Sequence, residues 1–321
     1  MQHYSNLTRF RTHPITRDLV SSVYLQPSSF VQIIFVDERL QAKKAVPNLD
    51  NFWIDTPSTI LQTISNDVSQ GIGTFMLFCV ARNKEDSIAF TCNIITKIKQ
   101  KYGNDILLIC DLCLCGITQD GHCGFIDNTT HLINNHQTVE RLSQNALEFA
   151  KSGADCIAPS DMRDGRVSAI RKLLNQNSYD NTSIMSYSAK FASNYYSAFR
   201  TIYSSNIDEN SPLQSRKTYQ IDPRNPNDAI LSSIRDEKEG ADILMVKPIM
   251  RYLDIAKDIK KECKLPLSGF HVSTECVSLN LLSQTGYGKI SNLFLEDWTA
   301  IKRSGVDIII SYNARMLTQW V

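Results

Sequence analysis

Eight short apolar runs, amphipathic helical patterns between most of them, and a junction that recurs three times predict a (β/α)8 barrel behind an N-terminal arm. The runs are FVQIIFV (30–36), GTFMLFCV (73–80), DILLICDLCLC (105–115), CIAPS (156–160), SIMSYSA (183–189), ILMVKP (243–248), LPLSGFHV (265–272) and VDIIISY (306–312). Near-continuous apolar character marks strands buried on both faces, as in a parallel sheet. An open, doubly wound sheet is the alternative arrangement of the same units.

Residues 1–29 precede the first run and read as a polar arm, suited to packing on another subunit, and residues 30–321 form the barrel domain. Between the third and fourth runs, Leu142, Ala146, Phe149 and Ala150 share one face at helical spacing. The junctions SGAD (152–155), EGAD (239–242) and SGVD (304–307) each end a helix at a glycine able to adopt the left-handed conformation and then enter a strand. In NPND (225–228), Asn225 serves as N-cap, Pro226 as first helical residue, and Asp228 sits near the positive end of the helix dipole. No low-complexity segment or linker divides the 321 residues.

Lys plus Arg number 34 against 33 Asp plus Glu, so no global field favours nucleic acid or an anionic membrane. Nine cysteines, an odd number and mostly within apolar runs, suit reduced thiols rather than a disulfide framework. No stretch approaches the roughly 18 apolar residues of a membrane span. The expectation is a soluble protein of a reducing compartment, the cytoplasm.

Polar residues gather where the predicted strands end, and in a barrel all those ends open on the face that carries active sites. Asp111, Cys113 and Cys115 close the third run, Ser160 and Asp161 the fourth, Lys190 the fifth, Lys247 the sixth, Ser273 the seventh and Tyr312 the eighth. Either lysine alone would read as a snorkelling side chain. Together they suggest a reactive pair, because burial and a neighbouring ammonium each lower a lysine pKa, and the neutral amine attacks a ketone. The stretch DLCLCGITQDGHCG (111–124) spaces Cys113, Cys115 and Cys123 so that a glycine-flanked loop can return the third thiol beside the strand. Three thiolates on zinc leave a coordination position open, as in catalytic sites, whereas buried core thiols are the bland alternative. His122 is a fourth ligand, an outer donor or an ordinary core histidine. Arg200, Arg216 and Gln220 lie in a connection of more than 50 residues after Lys190, long enough for a lid, and arginine is the preferred fork for a carboxylate.

At these residues the sequence resembles the δ-aminolevulinic acid dehydratase (porphobilinogen synthase) family. The stretches DLCLCGITQDGHCG, GADCIAPSDMRDGRV, MSYSAKFASNYYSAFR, RKTYQIDPRNPNDA, EGADILMVKPIMRYLDI and SGVDIIISYNA carry the resemblance, in order along nearly the whole chain. It implies a (β/α)8 barrel with an N-terminal arm, assembled as a homo-octamer, that condenses two 5-aminolevulinate molecules to porphobilinogen with loss of two waters in tetrapyrrole (heme) biosynthesis. By matching motif, Lys247 would form the Schiff base and Lys190 would bind the second substrate and lower its neighbour's pKa. Arg200, Arg216 and Gln220 would hold one substrate carboxylate, and Ser273 and Tyr312 the other. Asp111 and Ser160 would assist hydrogen bonding and proton transfer. Cys113, Cys115 and Cys123 match the zinc-dependent branch.

The chain also departs from the family pattern. Ser232 stands where many bacterial relatives carry a glutamate for an allosteric Mg2+, which puts that site in doubt. VSTEC (272–276) replaces VSGEY, bringing Thr274 and Cys276 to a segment tied to lid closure, and ARNKEDSIAF (81–90) is shortened. A class I aldolase needs only one lysine and no thiolate metal site, so the cysteine trio disfavours it. A barrel that has lost catalysis and serves as a zinc-binding scaffold is opposed by retention of the proposed contact residues.

Overall fold

A computed structural model describes residues 7–203 and 205–321. Its eight barrel strands are β1 (Phe30–Asp37), β2 (Thr74–Val80), β3 (Leu107–Leu112), β4 (Cys156–Pro159), β5 (Ser183–Lys190), β6 (Ile243–Lys247), β7 (Leu267–His271) and β8 (Ile308–Ser311). Each pairs in parallel with its neighbours in sequence order, and β8 closes on β1 through Phe30↔Ile309, Val31↔Ile310 and Gln32↔Ser311. Closure rules out the open sheet. Every predicted apolar run contributes one barrel strand.

Helices follow the strands and cover the outside, among them Ser87–Tyr102, Asn135–Lys151, Arg166–Gln176, Pro226–Lys238, Leu253–Glu262 and Ile290–Arg303. The repeated junctions behave as their glycines require: φ is +103° at Gly153 and +100° at both Gly240 and Gly305. Asn225 caps its helix by accepting from the Asp228 N–H at 3.3 Å, and Asn134 caps another by accepting from Gln137 N–H at 3.1 Å.

Two elements escape the repeat. Trp53–Asp55 pairs with Phe35 and Val36 at the end of β1 and forms a small hairpin with Lys44–Ala45, continuing the sheet beyond the barrel. The second is a break of register in β5. Ser186 pairs with Leu244 and Ala189 with Val246, so Tyr187 and Ser188 together oppose Met245, a β-bulge.

The arm departs from expectation in character. Residues 1–6 lie outside the described residues; from Leu7 onward it forms short helices, Arg9–Thr12 and Pro14–Leu19. It is not simply polar, since Leu7, Phe10, Ile15, Leu19, Val20 and Tyr24 are all exposed. Short polar residues interleave with these apolar ones, which hides the stripe in a linear reading. Among the described residues no helix is long and apolar enough to cross a membrane.

Candidate active site

The barrel's C-terminal mouth gathers the predicted groups. Lys190 and Lys247 are register partners at the ends of adjacent strands. Both are buried, at 8% and 5% exposure, and both line one cavity of about 430 Å3 together with Asp111, Ser160, Arg200, Arg216, Gln220, Cys115 and Cys123. The lysines therefore neither diverge nor reach bulk solvent. Lys190 Nζ donates to the Ser160 carbonyl oxygen.

Their electrostatics differ. Burial, and then the Lys190 ammonium, bring Lys247 down from the ordinary lysine value to about 7, against the opposing pull of Asp111, Cys115 and Cys113. Burial disfavours the charge of Lys190 too, but Cys123, Cys113, Cys115 and Asp111 outweigh it and raise its pKa. One amine is thus primed to lose its proton while the other keeps its charge. Burial raises the Asp111 pKa, and Lys247 and Lys190 offset part of the rise.

Aromatic rings wall Lys247. Its Nζ lies 3.6 Å from the Phe270 ring centroid, 5.1 Å from those of Tyr187 and Phe199, and 5.7 Å from that of Tyr196. These rings exclude water and supply much of the desolvation. Sequence reasoning missed all four. Tyr187 lies three residues from Lys190, so regular alternation would set it on the opposite face, and only the bulge in β5 brings both inside.

Cys113, Cys115 and Cys123 are buried, and their sulfurs lie within 4.8 Å of one another. Thiolates about 2.3 Å from a tetrahedral zinc sit roughly 3.8 Å apart, so the trio fits such an ion with little movement. Hydrogen bonds from Cys113 and Cys115 hold the Cys123 thiol well below its ordinary range, the state a metal ligand needs. His122 is not a fourth ligand: its Nδ1 meets Tyr219 Oη at 3.0 Å and its Nε2 the Leu213 carbonyl at 2.6 Å. The histidine instead fastens the cysteine loop to the long connection after β5. Lys84, within the shortened 81–90 segment, braces the same loop by donating to Thr118 O at 2.8 Å and Gln119 O at 3.2 Å.

The sequence model of the family described as delta-aminolevulinic acid dehydratase matches residues 4–320. The chain belongs to this family. It is 36% identical over 327 residues to the Bacillus subtilis delta-aminolevulinic acid dehydratase, covering 100% of this chain and 99% of the relative. The Helicobacter pylori enzyme of the same description is 37% identical over 322 residues, with 97% of each covered. Among solved structures, the Toxoplasma gondii delta-aminolevulinic acid dehydratase (porphobilinogen synthase), in complex with the reaction product porphobilinogen, aligns with a TM-score of 0.93 at 32% identity, over 99% of this chain and 92% of that one.

The long connection after β5 carries the predicted arginines. It runs from the end of β5 through the helix Ser197–Tyr203 and the short turn Arg216–Thr218 to the helix Pro226–Lys238. Arg216 is buried and donates to Gly121 O at 2.8 Å and Ser205 O at 2.5 Å. Arg200 lies 5.6 Å from the Tyr196 ring, and burial lowers its pKa. Gln220 is buried in the cavity wall, and among the described residues its Oε1 has no hydrogen-bond partner.

Ser273 and Tyr312 come together, but beside the cavity rather than in its lining. Ser273 Oγ accepts from the Phe199 N–H at 3.1 Å, and Tyr312 is fully buried, its pKa raised by burial and lowered in part by the Ser273 hydroxyl beside it. The helix Ser197–Tyr203 thus covers Ser273.

Cys276 does not face the lid as the altered VSTEC segment suggested. It is fully buried, with Sγ 3.6 Å from His271 Nδ1, because the helix Ser273–Gln284 turns its fourth residue to the barrel wall. Thr274 is the residue that meets the lid, through Ser197 Oγ at 3.3 Å. Asp161 is likewise structural: wholly buried, it lies 3.7 Å from Arg166 and takes the Arg163 N–H at 2.7 Å. At Ser232, Oγ donates to Asp228 at 3.2 Å, and Arg235 lines the same surface cavity with Asp164 and Asp222.

Proposed function

We propose that the protein condenses two molecules of 5-aminolevulinate to porphobilinogen with loss of two waters, the reaction named for its relatives, through a Schiff base on Lys247. The observation that carries this reading is the buried register pair Lys190–Lys247 in one cavity with Cys115 and Cys123, two thiols of the clustered trio. An uncharged Lys247 amine adds to a substrate ketone, and the carbinolamine expels water to give the imine. Lys190, held charged, represses protonation of its neighbour and binds the second substrate. Asp111 and Ser160 accept and return protons beside them, and Asp111 is suited to the task because burial lifts its pKa. Arg200, Arg216 and Gln220 receive one substrate carboxylate, and Ser273 with Tyr312 the other once the Phe199 amide releases Ser273.

Cys113, Cys115 and Cys123 would hold a zinc ion, which would supply Lewis-acid polarisation of a substrate carbonyl. Three clustered thiols, with no fourth His, Cys, Asp or Glu ligand beside them among the described residues, support a catalytic ion over a closed structural one. Residues 1–29 form an arm that packs its exposed apolar residues on another copy in a homo-octamer, the barrel domain occupies 30–321, and the enzyme works in the cytoplasm. Incubating the zinc-loaded protein with 5-aminolevulinate yields a pyrrole under this reading. Absence of a pyrrole from folded, metal-loaded protein refutes it.

A further inference from the structure

We infer that Ser188 is a positioning residue, whose hydroxyl holds the bulge in β5 and so turns Lys190 inward beside Lys247. Along a regular strand, residues 186, 188 and 190 share a face. Ser186 and Ser188 both face the helical layer: Ser186 Oγ donates to Asp236 Oδ2 at 2.6 Å, and Ser188 Oγ accepts from Ser233 Oγ at 3.2 Å, both partners lying on the helix Pro226–Lys238. Plain alternation would carry Lys190 outward with them, into the layer between sheet and helix. The extra residue inverts that parity. Lys190 becomes the register partner of Lys247 and comes within 5.5 Å of the inward Tyr187 ring.

Ser188 sits at the inversion. Its hydroxyl bridges both backbone groups of Met245, the residue that opposes the doubled pair, accepting from Met245 N–H at 3.3 Å and donating to Met245 O at 3.4 Å. Arg166, fully buried, secures the same turn of chain from the other side by donating to Tyr187 O at 3.3 Å and Ser186 Oγ at 3.0 Å. Bulges re-aim side chains next to active sites, and here the re-aimed side chain is one of the two amines. The buried Ser188 hydroxyl bonds to Met245 and Ser233, so its contribution to the reaction is geometric.

The inference rests on the Schiff-base reading, and the test separates the two. Ser188→Ala is compared with Ser268→Ala, which removes an equally buried serine–backbone bond, Ser268 Oγ to Leu244 O at 2.9 Å, from the regular strand β7 on the other side of β6. Thermal stability, KM, kcat and the rate of borohydride-trapped adduct at Lys247 are measured for both. Ser188→Ala is expected to lower kcat and the adduct rate at neutral pH by tenfold or more, with KM changed less than threefold. Ser268→Ala loses comparable stability and keeps kcat within twofold. If Ser188→Ala does not fold, Ser233→Ala, which removes the bond orienting the Ser188 hydroxyl, is expected to show the same split at three- to tenfold. Equal kcat and adduct rates in the bulge variant and Ser268→Ala overturn the positioning role. An unmodified Lys247 in the wild type overturns the Schiff-base reading instead.

Discussion

Replacing Lys190 by Met removes one positive charge from the cavity while keeping an unbranched stem of similar bulk. Two ammonium groups on adjacent strands are about 5 Å apart, and at an effective dielectric of about 20 they repel by roughly 3 kcal/mol, about two pH units of pKa. Lys247, held at about 7 by burial and by Lys190, should therefore titrate near 9 in the variant. The sign follows from the charge: the protonated form is the one Lys190 destabilises, so removing Lys190 raises the pKa and leaves less free amine at neutral pH. At pH 7 the uncharged fraction falls from about half to about one per cent, roughly fiftyfold. The rate of borohydride-trapped adduct at Lys247, followed against pH by peptide mass, reads this directly. It should drop some fiftyfold at pH 7 and recover toward the wild-type rate above pH 9. A midpoint that stays near 7 in Lys190→Met, or a loss equal at every pH, refutes the charge-coupling argument.

Chelation of metal should abolish pyrrole formation, and zinc should restore it; Cys123→Ser should bind less metal by elemental analysis and fail to recover. Added magnesium should leave the rate unchanged, since Ser232 is bonded to Asp228 and offers no carboxylate at its position. Arg166→Met strands the buried carboxylate of Asp161, 3.7 Å from the guanidinium, and takes from the buried Asp236 one of its two arginine partners, 3.0 Å away, leaving Arg235. It should cost about 3–5 kcal/mol in chemical denaturation.

The barrel was legible because its strands are buried on both faces and its junctions repeat. Apolar runs such as FVQIIFV and glycines such as Gly153 and Gly240 state those constraints locally. Charged and thiol residues ending apolar runs were equally visible, which is why Lys190, Lys247 and the cysteine trio could be named from sequence. The aromatic walls were not visible. Phe270 and Phe199 look like any core phenylalanines, and Tyr187 lies on the wrong face until one extra residue in β5 shifts the parity. A bulge depends on pairing with Met245 and on Arg166 from the preceding helix, contacts that no local pattern encodes. Cys276 fails for a related reason: its place after Ser273 suggests the lid, but helical rotation sends its side chain to His271.

The most direct test of the central claim is borohydride reduction of the wild-type protein with 5-aminolevulinate at neutral pH, followed by peptide mapping. A substrate-derived mass on Lys247, formed with a pH midpoint near 7, is the expected result. Full protein recovery with Lys247 unmodified would contradict it.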